Sequence, residues 1–256
     1  MAGLRFTIAG TLLYTVMRFF GAANPTKQQW LGATAVGILL PAVGNGTVCY
    51  VQQTVSSSVA ALAIATAPIW MAIFSSFWGH KITRQEWLGI AIGFVGIVML
   101  NFGGSLHGQL FSAFLLVFAA ASWSFGSVWG RYLSMPSGLM APACQMLMGG
   151  IALLIFSAIQ GEQYPSVISL KSWSAMLFLI VLGSIVAYSA YQYLLQKVRP
   201  LVASSNTFVN PIVAFTLGIW LANEQVTVAE YIALAIILVG VFLVLSAATE
   251  NNFKEN

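Results

Sequence analysis

The residues of this chain that could do chemistry are few, and most are uncharged. Arg5 stands inside the first apolar stretch. A charge at the centre of a membrane helix costs at least about 2.5–3.5 kcal/mol. Arg5 therefore either snorkels from near its helix end to the interface or serves a site, where it would attract a carboxylate. Pro68 and Pro211 each remove a backbone N–H and clash with the carbonyl four residues earlier, which kinks a helix. Thr66 precedes Pro68, Asn210 adjoins Pro211, and Asn206 lies one turn before Asn210. Carbonyls freed at membrane depth must face protein or a wet cavity, unless Thr or Asn simply satisfies them again. An amide-and-aromatic set completes the inventory: Asn45, Tyr50, Gln52, Gln53, Trp70, Trp123, Trp129, Gln145, Tyr188, Tyr191, Gln192 and Tyr193. Tyr188 and Gln192, four apart, share a helix face. Tyr50, Trp129 and Tyr193 fall near helix ends and suit the aromatic belt of a membrane interface. The expected substrate-binding set is Asn45, Thr66, Trp70, Tyr188, Gln192, Asn206, Asn210 and Arg5, with Pro68 and Pro211 as hinges.

Other chemistries lack their parts. His80 and His107 fall in different joints, there is no Asp, and Cys49 and Cys144 match no metal or redox spacing. An intramembrane enzyme would need a nucleophile with a base, a metal cluster or paired carboxylates, so neither enzyme activity nor a cofactor is expected. Glu86 and Glu230 occupy the first turns of two apolar runs, where the helix dipole favours an acid. No carboxylate falls in the middle of an apolar run, which leaves proton coupling unwritten and makes exchange or efflux down a gradient the plainer reading.

The elements that must position these residues are membrane helices. The sequence is 59% hydrophobic and 6% charged, where a soluble domain carries about a quarter charged residues. The net charge of +4 is dispersed and forms no cluster for phosphates, so the expected surroundings are a lipid bilayer and not nucleic acid. A spanning helix needs about 20 apolar residues, and nine candidates appear: 1–20, 29–51, 57–79, 85–102, 109–131, 138–160, 172–195, 201–222 and 228–248. The runs are continuously apolar and not alternating, which indicates an all-α bundle and no barrel. Eight of the ten Lys+Arg fall on one side of the resulting topology. The positive-inside rule then puts the C-terminus in the cytoplasm.

The chain repeats itself. Residues 60–100 and 203–244 follow one plan: Pro68 answers Pro211 at an offset of 143, and His80-Lys81-Ile82-Thr83 answers Glu224-Gln225-Val226-Thr227 at 144. Asn45 answers Tyr188, and Arg5 with Gly10 answers Gln145 with Gly150 at 140. Helices one to four thus pair with six to nine, and the fifth has no mate. An odd unit inserted twice runs in opposite directions, as in the inverted repeats of secondary transporters. The expected division is 1–104 and 105–256, four helices plus five from a five-helix unit. Gly89, Gly93 and Gly96 lie on one helix face, which suits packing within the bundle and also offers a homodimer contact.

LLPAVGNGTV (39–48), the stretch 65–104, ASWSFGSVWGRYL (121–133) and NTFVNPIVAFTLGIWLANEQVTVAEY (206–231) resemble the EamA family of the drug/metabolite transporter superfamily, in its YedA-like bacterial inner-membrane branch. The resemblance implies ten helices in two inverted five-helix repeats and export or exchange of small metabolites. Met1–Phe6 resembles the family's second helix, so the expectation is a start lying further upstream, or else a nine-helix paralogue without transport. The family's acid after the fourth helix of the first repeat is here His80, while Glu224 keeps it in the second. The reading is a transporter of small neutral or zwitterionic, amino-acid-like metabolites working by alternating access. The alternative is a passive channel, for which no filter of carbonyls or charges is visible.

Overall fold

The computed structural model describes residues 1–79, 82–103, 110–162, 169–204 and 227–255, with scattered positions between 210 and 220. The described residues hold helices and no strand. Asn206, Pro211, His80, His107 and Glu224 lie outside them.

The helices are α1 (Ala2–Phe19), α2 (Lys27–Val51), α3 (Ser57–Ile64), α4 (Ala67–Ser75), α5 (Arg84–Gly103), α6 (Leu110–Trp129), α7 (Met140–Ile159), α8 (Leu170–Lys197), the short α9 (Pro200–Ala203) and α10 (Val228–Glu255). They follow the apolar runs of the sequence. Five of them, α2, α6, α7, α8 and α10, are long and apolar enough to cross a membrane. Large apolar side chains line their outer faces: Phe111 and Phe114 on α6, and Phe178, Leu182 and Val186 on α8 are exposed. That is why the runs read as continuously apolar: one face meets other helices, the opposite face suits lipid.

Three departures from regular helix stand out. α2 contains a π-helical segment at Ile38–Asn45, with Pro41 inside it. α8 contains another at Leu179–Val186, with no proline. A π turn is wider than an α turn and recurs at functional sites; in α2 it accommodates a ring that would clash within an ordinary turn. The third departure is at Pro68. The expected kink within one helix over 57–79 is instead a break. α3 ends at Ile64, Ala65 and Thr66 turn, and Pro68 sits in the first turn of α4. Proline is suited there, because first-turn N–H groups have no partner within the helix. Thr66 closes the break: its hydroxyl donates to the Ala63 carbonyl at 2.6 Å. Ser124 on α6 donates to the Ala67 carbonyl at 2.9 Å, so another backbone group at the break is also satisfied.

The chain forms two compact units. The first comprises Met1–Gly46 and Trp129–Val198, the second Thr47–Val128 and Arg199–Asn256. Each therefore draws on both ends of the sequence.

In the first unit α1 packs along α7, α2 lies against α7, and the π-segment of α8 lies against α1. Gly10 and Gly150 permit the α1–α7 contact. A Cβ at Gly10 would meet the backbone nitrogen of Leu147, and one at Gly150 the backbone nitrogen of Thr7. The start of α2 is fixed by a capping box of Thr26 and Gln29, and the Gln29 amide reaches the Met135 carbonyl at 3.2 Å.

In the second unit α5 and α10 form the main pair. A Cβ at Gly89 would lie 2.5 Å from the Gly240 carbonyl oxygen, and one at Gly240 would lie 2.7 Å from that of Gly89. Gly96 faces Ile237 and Ala233. The face of Gly89, Gly93 and Gly96 is thus covered within the chain, and a dimer through it would have to displace α10 or, at Gly93, Ile69 of α4. Matching capping boxes begin the two helices: Glu86 accepts from the Thr83 N–H at 2.6 Å, and Glu230 from the Thr227 N–H at 2.8 Å. Both carboxylates are buried.

Candidate functional site

The first unit contains a polar row. Arg5 is three residues into α1, yet its guanidinium Nε donates to Ser184 Oγ at 2.7 Å. Ser184 is buried and lies halfway along α8, with 14 residues before it and 13 after it in Leu170–Lys197. At about 1.5 Å per residue, either end of α8 is on the order of 20 Å away. Gly183 lies beside the guanidinium: a Cβ there would stand 3.4 Å from Arg5 Nη2, an ordinary contact. The guanidinium also lies over the Phe6 ring, 4.6 Å from its centroid. Such a stack is favourable and more so away from water.

From Phe6 the row continues into α8 and α7. The Phe6 and Tyr188 rings meet edge to face at 6.5 Å. The Tyr188 hydroxyl donates to Gln145 Oε1 at 2.9 Å, and Gln145 Nε2 lies 3.8 Å from Met135 Sδ. Gln192, one turn beyond Tyr188, stands beside that hydroxyl. Apart from that neighbouring hydroxyl its Nε2 is buried without a protein partner, and Ser189 Oγ is buried without one. Buried polar groups usually have partners, so these two are candidates to meet something that is not protein.

Of the residues expected to bind substrate, the fold brings Arg5, Tyr188 and Gln192 into this row. Asn45 ends the π-segment of α2 in the same unit and is half-buried. Thr66 and Trp70 belong to the second unit. Thr66 is fully buried with its hydroxyl on the backbone, and the Trp70 ring stacks near Phe74 and meets Phe94 edge-on, its buried Nε1 without a partner. Asn210 is exposed. Tyr50 and Tyr193 are exposed near helix ends, as an aromatic belt requires.

The sequence model of the EamA-like transporter family matches residues 1–102 and 110–246. The uncharacterized inner membrane transporter YedA of Escherichia coli K12 is 43% identical over 245 residues, covering 95% of this chain and 80% of its own. The chain belongs to the EamA-like transporter family. More distant relatives match over a similar share of this chain. An uncharacterized transporter of Synechocystis is 27% identical over 95% of this chain and 80% of its own, and a WAT1-related chloroplastic protein of Arabidopsis thaliana is 26% identical over 95% and 62%. One solved crystal structure, 18% identical, shares the fold with a TM-score of 0.68 over 97% of this chain and 87% of that one.

In this EamA-like chain, sequence reasoning missed Ser184, Phe6 and Ser189 as members of the row, and missed both π-segments. One signal was present. Ser184 answers Pro41 at the same offset of 143 that relates Asn45 to Tyr188. A proline and a serine in equivalent places of two apolar helices are both marks of irregular backbone.

Proposed function

We propose that this chain is a multi-pass transporter of a bacterial inner membrane that exports or exchanges small, amino-acid-like metabolites by alternating access. The observation that carries the reading is the Arg5–Ser184 hydrogen bond halfway along α8, continued through Phe6 and Tyr188 to Gln145. An ionisable group deep in a membrane bundle, held by a partner, marks a substrate path. Family membership and relatives named as transporters support the same class.

The architecture proposed is nine spanning helices, four plus five, from an inverted five-helix repeat divided at 1–104 and 105–256, with the C-terminus cytoplasmic. Reciprocal contacts support the repeat. Gly10 meets Leu147 while Gly150 meets Thr7, and the offset of 140 exchanges one pair for the other. Likewise Gly89 meets Gly240 while Gly96 meets Ala233, exchanged by 144. Contacts of this form are what a twofold axis between two copies would produce. A C-terminal fusion to a fluorescent protein that matures only in the cytoplasm tests the orientation.

The function is tested with purified protein in vesicles preloaded with a mixture of amino acids. Saturable exchange that falls on Tyr188→Phe and on Asn45→Ala supports alternating access through this row. Flux that rises linearly without saturation would mean a channel, and flux no greater than in protein-free vesicles would sink the transport reading.

A further inference from the structure

The charges of the first unit are unequally placed. Its cations other than Arg5 stand at helix ends or beyond them: Arg18 in the last turn of α1, Lys27 opening α2, Arg131 after α6, Lys171 opening α8 and Lys197 closing it. Its one acid, Glu162, follows α7, where it accepts from the Ser157 hydroxyl at 2.5 Å. Among the described residues the polar row therefore carries a cation and no carboxylate. Its amide oxygen, Gln145 Oε1, already accepts from Tyr188. Among the described residues of the row, the Gln192 amide nitrogen, a donor with only the Tyr188 hydroxyl beside it, and the Ser189 hydroxyl are left for a ligand, both on residues 6% exposed.

We propose that this row is a carboxylate site that reads the acid group of its substrate and is indifferent to an α-ammonium. A guanidinium is a rigid fork that pairs with both oxygens of a carboxylate. Ser184, on Nε, and the Phe6 ring beneath fix the plane of that fork. The Phe6 and Tyr188 rings supply an apolar wall for the body of the molecule, and Gln192 Nε2 adds a donor suited to an oxygen. The row offers an ammonium no opposite charge, so an α-ammonium gains no partner there and the acid group decides binding. The class recognised is then small organic monocarboxylates, including hydroxy and deamino acids as well as amino acids. The inference rests on the transport reading of the same row.

The test measures binding to the purified full chain in lipid nanodiscs by ligand-induced shifts in thermal midpoint. The probes are leucine, 4-methylpentanoate, 2-hydroxy-4-methylpentanoate, leucinamide and isopentylamine, with the corresponding phenylalanine series. Within a series, the acids with and without ammonium should bind within about tenfold of one another, and the amides and amines more than about tenfold weaker. Arg5→Gln should weaken the acids roughly tenfold to a hundredfold and leave the amides unchanged. Arg5→Lys, which keeps the charge and loses the fork, should fall between and carries the test if Arg5→Gln does not fold. Equal binding of amides, binding confined to zwitterions, acid binding unaffected at Arg5, or no acid of either series binding the unaltered chain would each overturn the carboxylate site. Acid binding that depends on Arg5, with no flux in vesicles, upholds the site and sinks the transport reading instead.

Discussion

Arg5 Nε and Ser184 Oγ are hydrogen-bonded at 2.7 Å, joining a residue near the start of α1 to the midpoint of α8. A charged donor held by a buried hydroxyl is worth more than a neutral pair, about 1.5–3 kcal/mol net. The contact also lies on the π-segment Leu179–Val186, which has no proline to account for its wide turns. A double-mutant cycle of Arg5→Met and Ser184→Ala in detergent should give a coupling of about 0.5–3 kcal/mol in thermal unfolding. Additive effects would mean that the pair makes no contribution beyond its separate side chains.

The paired glycines make a prediction about packing. Alanine at Gly10, Gly150, Gly89 or Gly240 would press its Cβ on backbone atoms of the neighbouring helix, which cannot swing aside. Each should lower stability by about 1–3 kcal/mol, the range for overpacking. Gly46→Ala is the contrast: its nearest obstacle is the Leu153 Cδ2 methyl at 2.6 Å, the far end of a flexible side chain. Unfolding midpoints of the five variants should separate Gly46→Ala from the other four.

Much of this fold could be read from the chain because lipid imposes one rule on every spanning segment, and that rule is written in composition. The positions of the described helices followed from it, except that 57–79 breaks before Pro68, and most of 201–222 lies outside the described residues. The glycine contacts were visible as spacing, although not which helix would fill them: Gly89 faces Gly240, far along the chain. The site was legible in part. Arg5 was conspicuous as a charge in an apolar run, but its position near a helix start pointed to the interface. Only the packing of α8 across α1 puts Ser184 within its reach. The π-segments have no sequence period of their own, and Pro41 in one is answered in the other by Ser184 and not by a second proline. Thr66 read as a cavity residue because a hydroxyl beside a proline suits either role; its bond to Ala63 shows the hydroxyl serving the backbone.

The buried glutamates separate capping from proton transfer. Glu86 and Glu230 each accept from the N–H of a threonine three residues earlier, and each threonine hydroxyl accepts from the glutamate N–H, at 3.2 and 3.3 Å. A capping box tolerates Gln in place of Glu. Glu86→Gln and Glu230→Gln should therefore keep stability and flux, while Glu86→Ala and Glu230→Ala should lose about 0.5–2 kcal/mol each. Loss of flux in the Gln variants with unchanged unfolding midpoints would assign these carboxylates to proton movement.

The far end of the row makes the last prediction. Gln145 is 2% exposed, and its Oε1 accepts from Tyr188 at 2.9 Å. Tyr188→Phe removes that donor and leaves a buried amide oxygen without it. Leaving a buried polar group unsatisfied costs about 1–3 kcal/mol, whereas replacing both partners by apolar groups of similar shape is close to neutral. Tyr188→Phe alone should thus lower the unfolding midpoint, and Tyr188→Phe with Gln145→Leu should recover most of the loss. Flux should separate from stability here, because the double variant keeps the packing and loses the polar row. A double variant as stable and as active as the unaltered chain would show that Gln145 and Tyr188 serve only the core, and would confine the site to Arg5, Ser184 and Gln192.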